Sequence, residues 1–205
     1  MERKDILLLL SWPVYMALFF LSERLIPADW CTIIWCPLDD RIPFCEWFLI
    51  PYVSWYLLIA GSLGWFLMKD RAQFRWLQSY ILITQIIGIF CFFLLPSRQE
   101  LRPEIFPRDN FLTGLVRCLY RIDTPTGVCP SMHVAWSLAL ISAWTRRTDY
   151  PLLWRWSVTV WCVLICVSVV FIKQHSVLDI LAAIPAGLAA EIFLRSCKTE
   201  ENGIE

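Results

Sequence analysis

Several apolar runs in this chain are as long as a bilayer is thick, and no other feature restricts the fold as much. A helical crossing takes about 20 predominantly apolar residues, since each advances about 1.5 Å through a hydrocarbon layer of about 30 Å. Such runs fall at 6–22, 45–68, 76–95, 131–145, 151–172 and 176–194. The fourth, from Ser131 to Thr145, is short, stops at Arg146 and Arg147, and needs upstream residues to complete it. Segments such as Trp47 to Met68 do not alternate apolar and polar residues as barrel strands do. The expected fold class is therefore all-α, a single six-transmembrane-helix bundle over residues 1–205.

Composition agrees: 58% of residues are hydrophobic and 18% charged, against roughly 45–50% and about 25% in soluble domains. Net charge is zero and like charges form no block, so no nucleic-acid partner is expected. The charged start (Glu2, Arg3, Lys4, Asp5) precedes an apolar run longer than a signal-peptide core, and no A-x-A-like site follows, so the first run reads as an anchor. Six crossings put both termini on one side. That side would carry Arg3, Lys4, Lys69, Arg71, Arg75, Arg146, Arg147, Arg155, Arg195 and Lys198, and the excess favours cytoplasmic termini. The opposite, extracytoplasmic side holds the Arg-rich loop 96–130.

Tryptophans near run ends, among them Trp12, Trp30, Trp35, Trp47, Trp65, Trp76, Trp144 and Trp154, read as interfacial anchors. Pro13, Pro51 and Pro185 interrupt apolar runs, and kinks are expected there. Cys31, Cys36, Cys45, Cys118 and Cys129 lie on the outer side as free thiols or as a disulfide whose pairing their spacing does not specify. With only two histidines and no C-x2-C pair, a zinc site is not expected.

Those two histidines, His133 and His175, both stand at outer helix ends. In K-Q-H-S-V-L-D, His175 and Asp179 are four residues apart and share a helix face, so the carboxylate can fix the imidazole tautomer and leave its other nitrogen as a nucleophile or base. In C-P-S-M-H, Pro130 suits a first helical turn, and Ser131, His133 and the partial positive charge of the helix start together make a phosphate seat. Arg98 and Arg102 are also four apart; on a helix they would project together toward phosphate oxygens.

An Arg-Pro segment, P-S-x-H and S-x6-H-x3-D, in that order, resemble the type 2 phosphatidic acid phosphatase superfamily, whose patterns are K-x6-R-P, P-S-G-H and S-R-x5-H-x3-D. The resemblance runs from Leu95 to Asp179. It implies that His175 is the nucleophile, that Asp179 orients it, that His133 protonates the leaving oxygen and that Arg102 and Ser131 hold the phosphate, with Ser168 opening the third motif. Leu95, Met132 and Val169 stand where the family has lysine, glycine and arginine. Arg98 and Lys173 are our candidates for the two missing cations.

The expected activity is that of an integral-membrane lipid phosphate phosphatase acting on a phosphomonoester or pyrophosphate at the outer interface through a phosphohistidine, with no cofactor and no metal. The same His, His and Asp also suit a lipid phosphotransferase in which a lipid alcohol replaces water. A third reading is a non-catalytic protein that binds anionic lipid.

Overall fold

The computed structural model describes residues 2–202, with side chains up to residue 197; Lys198 falls outside the described side chains. Helix α1 (Arg3–Leu9) and helix α2 (Ser11–Leu25) form one rod broken at Leu10. The break precedes Pro13, which has no N–H to offer the Leu9 carbonyl. A short 3-10 turn, strand β1 (Thr32–Ile33) and helix α3 (Pro37–Arg41) lead to α4 (Leu49–Lys69), which a second 3-10 turn, Glu46–Phe48, introduces. Next come α5 (Arg71–Leu94), strand β2 (Ser97–Arg98), α6 (Phe111–Ile122), α7 (Met132–Thr145), α8 (Leu152–Phe171) and α9 (Val177–Asn202). Strands β1 and β2 pair in parallel, Thr32 opposite Ser97 and Ile33 opposite Arg98.

Among the described residues, five helical segments are long and apolar enough to cross a membrane: Arg3–Leu25, Glu46–Lys69, Arg71–Leu94, Leu152–Phe171 and Val177–Cys197. The fourth expected run is different. Helix α7 has 14 residues, about 21 Å at 1.5 Å per residue, and the residues upstream of Met132 do not extend it.

Short as it is, α7 occupies the centre of the bundle. Ten of its residues are buried, on all sides of the helix, and α4, α5, α8 and α9 surround it. Ala135, Ala139 and Ala143, four apart and fully buried, present a smooth edge that lets neighbouring backbones approach. Gly187 of α9 does the same: a Cβ there would lie 2.8 Å from the Tyr80 hydroxyl and 2.9 Å from Leu138 Cδ1. Met132 at the start of α7 fits against Gly88 of α5, where an added Cβ would meet its sulfur and methyl at 3.0 Å.

Polar contacts sort the helix ends into two sets. At one end Arg75 bonds Asp5 (2.8 Å) and Glu2 (2.6 Å), Arg147 bonds Asp70 (2.8 Å), Gln73 bonds the Ala143 carbonyl (2.6 Å) and Arg155 bonds the Thr145 carbonyl (2.8 Å). At the other, the amide of Cys45 bonds the Phe171 carbonyl (3.0 Å) and that of Ser131 bonds the Asp179 carbonyl (3.2 Å). Helix α7 runs between these ends alongside its longer neighbours.

The expectation for two tryptophans changes here. Trp12 is half-buried and Trp144 buried: Trp12 donates to Gln78 (3.1 Å) and packs edge-on against Trp136, and Trp144 donates to the Ser62 hydroxyl (3.0 Å). Trp30, Trp35, Trp47 and Trp154 remain exposed. All nine cysteines are free thiols. Helix α6 turns Leu112, Val116 and Leu119 inward and leaves Phe111, Leu115, Cys118 and Ile122 exposed, an apolar stripe on a helix too short to cross.

Candidate active site

The site forms where α7 and α9 begin. His133 lies in the first turn of α7 and His175 in the turn between α8 and α9. Remote in sequence, their rings meet with centroids 5.9 Å apart, inclined at 62°. Both line a cavity of about 460 Å³ bounded by α2, α4, α7 and the loop 123–128. Both are nearly buried, at 8% and 9% exposure.

Asp179 stands behind His175. Its Oδ2 lies 3.2 Å from His175 Nδ1 and accepts the Ser176 amide at 2.9 Å. The ring's other nitrogen, Nε2, is thereby left for chemistry. His133 Nε2 is buried and makes no hydrogen bond among the described residues. The His133 ring is gripped by aromatic faces, Tyr52 stacked at 4.3 Å and Trp55 at 4.1 Å, which fix its plane. The Ser131 hydroxyl is fully buried, makes no cap bond to its helix and has no partner among the described residues. A buried hydroxyl and a buried ring nitrogen without partners are costly unless a ligand meets them.

Arg102 reaches the site indirectly. Its Nη1 donates to the carbonyls of Tyr120 (3.1 Å) and Asp123 (2.9 Å), its Nη2 donates to Gln174 Oε1 (2.6 Å), and the guanidinium lies 4.5 Å over the Tyr120 ring. Gln174 in turn donates to Asp123 Oδ2 at 2.9 Å. Gln174 and Asp123 both line the cavity. Burial pushes the Asp123 carboxyl up from its ordinary range, while His175 and Arg102 pull it back.

The two cations offered as replacements are employed elsewhere. Residues 99–110 form no helix, so Arg98 and Arg102 do not project together. Arg98 sits in β2 and pairs with Glu100 at 2.6 Å. Lys173, at a positive φ of 55°, donates from Nζ to the carbonyls of Asp39 (2.7 Å) and Ile42 (2.6 Å). Burial lowers its pKa, and Asp39 and Asp40 oppose that shift. Neither cation lines the cavity. Ser168 donates to its own helix at Ile165 (2.7 Å).

No protein-family model, curated protein or solved structure matches this chain. The likeness to the type 2 phosphatases accordingly rests on the three motifs alone. Among the described residues, no group of three or more His, Cys, Asp or Glu side chains is placed to hold a metal ion.

Sequence reasoning missed four residues. Asp39, 1% exposed, accepts the Ser176 hydroxyl (2.6 Å) and the Val177 amide (2.8 Å) and so caps α9 from the distant helix α3. Gln174 was visible as a polar neighbour of His175, but its link to Arg102 was not. Asp123 sits in a polar loop where a carboxylate is unremarked, and Trp55 sits in an apolar run where any aromatic is expected.

Proposed function

We propose that the protein is an integral-membrane phosphoryl-transfer enzyme acting on a lipid phosphate ester, with α7 completing a six-helix bundle, the termini in the cytoplasm and the histidine pair at the extracytoplasmic interface. The observation that carries this is the convergence of His133 and His175, 5.9 Å apart, at the polar end of a cavity whose remaining walls are apolar. The cations Arg71, Arg75, Arg146, Arg147 and Arg155 gather at the end of the bundle opposite the histidines, which supports the orientation.

In the first step His175 Nε2 attacks phosphorus, the N–P bond forms, the P–O bond to the lipid alcohol breaks, and a proton on His133 Nε2 passes to the departing oxygen. Asp179 steadies the imidazole as it becomes positive. In the second step an acceptor hydroxyl gives its proton to His133 while its oxygen displaces the histidine nitrogen. Water as acceptor makes a phosphatase; a lipid alcohol makes a transferase. The α7 start supplies donors to the phosphoryl oxygens, with the Ser131 hydroxyl behind it, fully buried, without a partner among the described residues and outside the cavity's lining.

Purified protein incubated with lipids labelled in the phosphoryl group, then quenched with base, tests this. His175→Ala is expected to abolish the base-stable phosphoprotein, and His133→Ala to slow turnover by roughly 10² to 10⁴. Near-normal turnover by both variants would refute the mechanism.

A further inference from the structure

The cavity is short of positive charge where a phosphatase would need it. Among the described residues, its lining includes no lysine and no arginine. Arg102 stands outside the wall, its Nη donors bonded to two carbonyls and Gln174 and its buried Nε without a partner among the described residues. Asp123, by contrast, is part of the wall, and Glu23, outside the lining, adds a second carboxylate nearby through its bond to Thr124 of the wall. A phosphomonoester dianion would bring two further negative charges to this end. Such a site disfavours it.

The rest of the wall is aromatic. Tyr15, Phe19, Trp55 and Tyr56 line the cavity with Asp123. A carboxylate combined with aromatic faces is the chemistry that holds an organic ammonium, the faces contributing cation–π attraction and the carboxylate the counter-charge. A zwitterionic headgroup would satisfy both halves of the site at once.

We propose that this cavity selects a phosphodiester lipid whose headgroup carries an ammonium, with the cation against Asp123, Tyr15 and Tyr56 and the phosphate between His133 and His175. The assignment deepens the phosphoryl-transfer reading and rests on it for the position of the phosphate. The apolar remainder of the cavity, including Met16, Ile59 and Leu63, receives the start of the acyl chains.

The test uses the full chain in detergent, with His175→Ala to prevent turnover, and measures binding of three short-chain diacyl probes: phosphocholine, phosphoglycerol and phosphatidate. The phosphocholine probe is expected to bind at least about tenfold more tightly than the others, a difference of about 1.4 kcal/mol. Asp123→Asn should erase that preference. Tyr56→Leu, at a side chain 55% exposed and so safe for folding, should reduce it by about threefold. Equal or tighter binding of phosphatidate, or a preference unchanged in both variants, would overturn the proposal. Phosphate labelling of wild-type His175 from phosphatidate and phosphocholine lipid alike would leave the transfer mechanism standing and remove the headgroup assignment. A phosphocholine preference in a protein whose His175 never labels would do the reverse.

Discussion

Replacing Asp39 by alanine should loosen the site from a position that touches neither histidine. Its carboxylate accepts three bonds, from the Cys36 amide (2.8 Å), the Ser176 hydroxyl (2.6 Å) and the Val177 amide (2.8 Å). Hydrogen bonds to a charged acceptor contribute about 1.5–3 kcal/mol each. Part of that sum is returned, because the buried charge no longer has to be desolvated and water can reach a freed amide. A net loss of about 3 kcal/mol remains, more than the roughly 1 kcal/mol of an ordinary helix cap, because the donors lie on two segments distant in sequence. For a chain of this size each kcal/mol moves the melting temperature by about 2–4 °C. Unfolding in detergent, followed by tryptophan fluorescence, should therefore show a fall of about 6–12 °C. Asp39→Asn, which retains one acceptor oxygen, should fall in between. Lys173 bonds the main-chain carbonyl of Asp39, which alanine retains, so that contact is an internal control. A fall of less than about 2 °C in Asp39→Ala would show that the carboxylate does not hold the α9 entrance.

Lys173→Met, which removes two bonds to carbonyls, should lower stability by about 2 kcal/mol and leave KM for a phosphorylated lipid within about twofold; a rise of tenfold or more in KM would return Lys173 to the phosphate site. Arg102→Lys cannot span Tyr120, Asp123 and Gln174 together, and should cost about 2 kcal/mol; a melting temperature equal to wild type would count against the network. Gly187→Ala should destabilise by about 1–3 kcal/mol through overpacking against Tyr80 and Leu138, and a thermally neutral Gly187→Ala would show that α9 has room to retreat.

The long helices were legible because bilayer thickness imposes a length that apolar runs report directly, and Arg3–Leu25, Glu46–Lys69 and Arg71–Leu94 overlie the expected runs closely. Helix α7 escaped a clean prediction because its residues are apolar on every side, the mark of burial among other helices as much as of contact with lipid. The His175–Asp179 pair was expected from helical spacing, and the contact forms, but with His175 in the turn two residues before α9 begins rather than on the helix face. Its partner His133 carried a local motif but no distance to His175, which only the packing of α7 against α9 sets. Arg98 and Lys173 misled for one reason: a sequence counts cations near a site without counting the carbonyls and carboxylates that claim them. Met132, which departs from the glycine of the motif, is accommodated by Gly88, a match between two helices that neither segment discloses separately.

Helices α2 and α4 face one another across the cavity, with α2 seated on α5 and α4 on α5, α7 and α8. The gap opens toward the flank of the bundle, with Met16 and Tyr56 well exposed beside it. On the proposed function, a tailed substrate entering by that side door would keep its chains out of water, and its encounters would be governed by mole fraction in the leaflet rather than by bulk molarity. Diluting such a molecule with inert amphiphile at constant total amount should slow its capture in proportion.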